Sequence, residues 1–107
     1  MHSELQNILN RKPAKLILFG QEYKVVFDNS LLLKREDGTP KSLAEARPVL
    51  HKIVFAEDIT DEWIMPVLIH EILEIINYHF EMGMTHQNIT ILETSLFAIL
   101  KDNNLIK

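Results

Sequence analysis

Asp61-Glu62-Trp63-Ile64-Met65-Pro66-Val67-Leu68-Ile69-His70-Glu71-Ile72-Leu73-Glu74-Ile75-Ile76-Asn77-Tyr78-His79-Phe80-Glu81-Met82 is the stretch that decides the fold. It is too long for a strand, and it predicts a helix from Asp61 or Glu62 to Met82, with Gly83 as its stop. Asp61 is the expected N-cap. Pro66 sits deeper than a first turn, which predicts a kink or a later start. On a wheel of 3.6 residues per turn, His70, Glu74, Asn77 and Glu81 fall on one narrow polar stripe with Glu71 on its flank. Ile64, Val67, Leu68, Ile69, Ile72, Leu73, Ile75, Ile76 and Phe80 make nearly all the rest apolar. Such a helix is buried on several sides, so its stripe is expected to line a cleft. The plainer alternative is the wet face of an amphipathic helix. His79 lies opposite His70 and belongs to no shared site.

The next segment predicts a second helix, capped by Thr85, running through Leu100 and fraying near Asn103-Asn104. Ile89, Leu92, Leu96, Phe97 and Leu100 form its apolar face. Glu93 lies in the middle of that face, and His86, two turns earlier, projects on the same side. A carboxylate on an apolar face is costly unless it is paired, protonated or bound to a cation. The first helix, running antiparallel with His70 and Glu74, is the natural element to face it. Taken singly, Glu93 is explained by a buried hydrogen bond to a His or to Thr90, and His86 by a capping or core role beside Thr85. Taken together, two His and two Glu converging between two helices make a candidate metal site, because positions i and i+4 lie one above the other.

Outward to the N-terminus, Ser3-Glu4-Leu5-Gln6 reads as a capping box opening a short helix that Pro13 ends. Leu16-Ile17-Leu18-Phe19 and Tyr23-Lys24-Val25-Val26-Phe27, joined across Gly20-Gln21-Glu22, predict a hairpin. Leu31 to Arg35 predicts a further strand, closed by the turn Asp37-Gly38-Thr39-Pro40. Ser42-Leu43-Ala44-Glu45 is a second capping-box pattern and predicts one helical turn before Pro48, followed by a strand from His51 to Phe55. Strands followed by helices argue for an α+β fold. The expected architecture is a single domain, residues 1–107, with a short N-terminal helix, a small antiparallel sheet and two packed C-terminal helices.

The net charge of −4 and pI near 5.7 supply no positive field for nucleic acid or an anionic membrane. A helix-turn-helix around Gly83 fails on the same ground, because the second helix has no Arg and only Lys101 at its end. With no cysteine, any metal must be held by His, Asp or Glu. Met1-His2-Ser3-Glu4-Leu5 lacks the pattern of a signal peptide, and the apolar run Trp63 to Ile69 is too short to span a bilayer. The expected location is cytoplasmic.

His70-Glu71-Ile72-Leu73-Glu74 resembles the active-site helix of zincin metallopeptidases, whose pattern is His-Glu-x-x-His. Through Leu68-Ile69-His70-Glu71-Ile72-Leu73 and Leu100-Lys101-Asp102-Asn103, the last third of the chain is similar to small phage-type and bacterial zincin-like proteins. The resemblance implies that His70 is a metal ligand and Glu71 the general base. Glu74 stands where the family has its second His, which makes the site harder and favours another metal or weaker binding; the implied cofactor is Zn²⁺ or another divalent cation. His86 and Glu93 are the candidates to complete the ligand set. The implied activity is a metal-dependent hydrolase acting on a peptide or protein, with an edge strand near His51 to Phe55 receiving an extended substrate. A non-catalytic interaction protein on the same scaffold is the alternative.

Overall fold

A computed structural model describes residues 3–106. Ser3 caps α1 (Glu4–Leu9) by accepting the Gln6 N–H at 3.0 Å, and the helix ends ahead of Pro13 as its sequence predicts. β1 (Ala14–Leu18) and β2 (Gln21–Phe27) form the expected antiparallel hairpin, with Leu16 opposite Tyr23. Both residues of its turn are left-handed, Phe19 at φ 54° and Gly20 at φ 77°. Only the glycine adopts that conformation without cost. The Phe19 ring stacks on His79 with centroids 4.5 Å apart.

The middle of the chain departs from expectation in two places. Leu31 to Arg35 is not a strand. Asp28 takes the Ser30 N–H at 2.9 Å and bends the chain into a 3₁₀ turn at Asn29–Leu31, and Lys34 is left with a single bridge to Pro40. Ser42 to Glu45 does not begin a helical turn either. The Ser42 hydroxyl donates to the Ala44 carbonyl at 3.0 Å, and Ala44–Arg47 forms β3. Pro48 leaves no room for a helix to propagate, and pairing with β4 holds these four residues extended.

A 3₁₀ turn at Pro48–Leu50 and a left-handed His51 then lead into β4 (Lys52–Phe55). The sheet order is β1-β2-β4-β3. β4 is therefore an interior strand rather than the edge expected for His51 to Phe55, and the edge beside the helices is β3. The sheet is mixed rather than wholly antiparallel, because β4 pairs parallel to β2 and antiparallel to β3. The chain between β2 and β4 makes a full excursion and returns through β3, which puts β4 in the same sense as β2.

α2 (Asp61–Phe80) starts where the sequence predicts, but its N-cap is Thr60, and Asp61 is its first residue, bonded to Arg11 at 2.7 Å. Pro66 lies inside the helix and does not delay its start. The one bond it removes is to the Glu62 carbonyl, in an exposed first turn where water can take its place. The main core lies between α2 and one sheet face. It gathers Ile8, Tyr23, Val25, Ile53, Phe55 and Ile64 with Leu68 and Ile75. Val54 on the opposite face is covered by Leu31 and Leu32, so the central strand β4 is buried on both sides. Among the described residues no helix is long and apolar enough to cross a membrane.

Candidate metal centre

The site is created by the reversal between the two C-terminal helices. α2 ends at Phe80, and Glu81 turns out of it in the left-handed conformation, with Gly83 following at φ 68°. Thr85 and Asn88 then bond each other's backbone N–H, both at 3.1 Å, a reciprocal capping box that opens α3 (His86–Asp102). Asn77, placed on the polar stripe by the wheel, spans this turn by bonding both backbone groups of Met84. The reversal lays α3 back along α2, so His86 and Glu93 return towards His70 and Glu74.

His70 is the centre of the cluster. Its Nδ1 lies 2.8 Å from Glu93 Oε1, and its Nε2 lies 3.8 Å from Glu74 Oε1. The His86 ring stands edge-on to the His70 ring with centroids 5.3 Å apart. One ligand atom each from His70, Glu74 and His86 fall within 4.8 Å of one another. Glu93 is bonded to the opposite side of the His70 ring. Two imidazoles and a carboxylate are a borderline nitrogen and oxygen donor set, which suits zinc and harder divalent cations. Tetrahedral zinc with bonds of about 2.1 Å separates its ligand atoms by roughly 3.4 Å, within reach of modest side-chain rotation from the observed spread. On chemistry and on geometry these three residues fit a divalent cation.

Glu71 points elsewhere. It shares a row with Ile64, Leu68 and Ile75, at spacings of seven, three and four residues, so it faces the sheet rather than α3. It is the one buried polar side chain among the described residues, 6% exposed. Burial pushes its carboxyl up from 4.5 to about 7; the neighbouring His70 and the Ala46 backbone N–H oppose the rise, while Glu74 and Glu45 add to it. An acid poised there exchanges a proton near neutral pH, as a general base requires.

Glu71, His70 and Glu93 line a shallow cleft of about 250 Å³ whose other walls are Ser42, Leu43 and Ala44 entering β3, with Trp63 and Val67 from α2. A second, more apolar recess of about 340 Å³ shares Trp63 and Glu93 with it and continues over Pro66 and Phe97. Of the residues singled out from sequence, His70, Glu74, His86 and Glu93 come together, and Glu71 opens into the same cleft beside β3. Glu81 is the exposed C-cap of α2. The sequence does not predict the wall formed by β3 or the place of Trp63 in the cleft. The short alternation Ala44-Glu45-Ala46-Arg47 was the available signal for the strand. No family model, curated protein or solved structure matches the chain.

Proposed function

We propose that this chain is a metal-dependent hydrolase of the zincin type, acting on a peptide or protein. The observation that carries the reading is the pairing of two features in one place. A three-donor group, His70, Glu74 and His86, has two of its members on α2 with a buried Glu71, next in sequence to His70, whose carboxyl is pushed up to about 7 by burial. When bound, a divalent cation supplies Lewis-acid polarisation and a more acidic water. His70, Glu74 and His86 would hold it. Glu71 accepts a proton from water at neutral pH and returns it to the leaving amine. The edge strand β3 stands beside Glu71, which already takes its Ala46 N–H, and its remaining outward backbone groups would pair with an extended substrate. The proposed setting is the cytoplasm, where a chain without cysteine loses nothing to reducing conditions. Nucleic acid and membranes have no part in the reading, given a net charge of −4.

The test is zinc titration by calorimetry on chelator-treated protein, followed by incubation with a complex peptide mixture read by mass spectrometry. Stoichiometric zinc binding and new cleavage products that vanish with chelator are expected. Absence of both overturns the reading.

A second reading, a non-catalytic interaction protein on a zincin-like scaffold, is favoured by α3. Leu92, Leu96 and Ile99 on that helix are 39%, 40% and 55% exposed, an exposed apolar strip of the kind that marks interaction surfaces. Zinc binding without cleavage, together with concentration-dependent self-association or partner capture, would favour it.

A further inference from the structure

Its position on the helix places Glu93 among the candidate ligands, yet it bonds Nδ1 of His70, while Nε2 is the nitrogen that faces Glu74. A carboxylate accepts hydrogen bonds, so the 2.8 Å contact with Glu93 Oε1 favours the ring form in which Nδ1 carries the proton. In the neutral ring that form leaves the lone pair on Nε2, the nitrogen that faces Glu74 Oε1 across 3.8 Å. We propose that Glu93 is a positioning residue that fixes the tautomer and ring orientation of His70, presenting Nε2 to the Glu74 and His86 donors.

Three observations carry this assignment. The side chains of His70 and Glu93 are each only 18% exposed, so water competes weakly for their bond. Glu93 sits on α3 and His70 on α2, so the ring is held from the helix opposite its own. The group of donor atoms within 4.8 Å of one another comprises His70, Glu74 and His86, without Glu93. A carboxylate behind a ligating imidazole also raises the basicity of the ring and resists its rotation, a common partnership at metal centres. The chain thus assigns different tasks to its acids: Glu74 as a direct donor, Glu93 behind the ring, Glu71 in the neighbouring cleft.

The inference rests on the metal reading for its purpose but not for its test. ¹⁵N-labelled, metal-free protein at pH 8 would be read by long-range ¹H–¹⁵N correlation at His70, with Glu93→Leu and Glu93→Gln alongside. The expected result is an Nδ1–H tautomer in the native chain, retained in Glu93→Gln, whose amide oxygen still accepts. In Glu93→Leu it shifts toward Nε2–H. A native His70 protonated on Nε2, alone or on both nitrogens, overturns the proposal, and so does an unchanged tautomer in Glu93→Leu. Zinc titration then separates positioning from ligation. Glu93→Gln should weaken zinc binding by roughly 10–100-fold, whereas Glu74→Gln should abolish it. Loss as complete in Glu93→Gln as in Glu74→Gln makes Glu93 a ligand and overturns the proposal. A native chain that takes no zinc overturns the metal reading alone, and the tautomer still decides the role of Glu93.

Discussion

Asn77 grips Met84 by both of its backbone groups: its Nδ2 donates to the Met84 carbonyl at 3.2 Å, and its Oδ1 accepts the Met84 N–H at 2.9 Å. An amide side chain here stands in for a missing strand partner, satisfying a backbone segment that has left one helix and not yet entered the next. His86 begins α3 two residues later, so the clamp also determines where that imidazole sits relative to His70.

Removing the clamp should therefore act on both stability and the site. Asn77→Ala strands two half-buried backbone groups and should lower stability by about 1–3 kcal/mol. Because His86 then loses its anchor, zinc affinity should fall as well. Denaturant melts and calorimetric titration measure the two effects. A variant that loses stability with unchanged zinc affinity would separate the turn from the site.

Stability of the metal-free protein should fall as pH rises from about 4.5 to 7. Glu71 has its folded-state pKa raised from 4.5 to about 7, so over that interval the folded chain keeps a proton that the unfolded chain has released. The contribution is complete below the lower value, is lost through the upper one, and is flat beyond it. The shift corresponds to a loss of about 3 kcal/mol across the window. Glu71→Gln resembles the protonated form and should flatten the profile while raising stability at pH 8. Melts of both proteins between pH 4 and 9 provide the comparison.

The same substitution tests the assignment of Glu71 as the base. Glu71 lies with Ile64, Leu68 and Ile75 on the row of α2 that faces the sheet, not the donor group, so Glu71→Gln should leave zinc content nearly unchanged. Hydrolysis should fall by a factor of about 100 or more. Metal analysis paired with a peptide-cleavage assay gives both readings. Loss of zinc in this variant would move Glu71 into the ligand set, and equal cleavage would remove it from the reaction.

Glu74→His changes the second ligand position to the imidazole of the zincin pattern. His70 Nε2 already faces this side chain across 3.8 Å, so a ring at Glu74 reaches the same ion. Zinc should bind more tightly by about 1–2 kcal/mol, and the preference for harder cations such as Mn²⁺ should decline. Calorimetry with both metals checks this. Equal zinc affinity in the two proteins would make the native carboxylate a fully competent donor.

The elements that the sequence determined by itself are those whose cause is local. The Thr85 cap, the β1–β2 hairpin around Gly20 and the length of α2 follow from neighbours a few residues away. So does the alignment of His70 with Glu74, one turn apart on the helix. The placement of Glu93 and His86 opposite that pair was also legible, because an acid on an apolar helix face needs a partner and a short turn returned it to the only polar stripe available. Tertiary structure decided the rest. Ala44–Arg47 became the edge strand because β4 offered it a partner, although its own residues read as a helix start. His51 to Phe55 moved to the interior because β2 claimed the other side of β4. Glu71 became the buried acid because the sheet closes over its row of α2. The nitrogen of His70 that meets Glu93 was chosen by how closely two helices pack. Strand pairing, desolvation and side-chain approach all depend on residues distant along the chain, and local periodicity does not fix them.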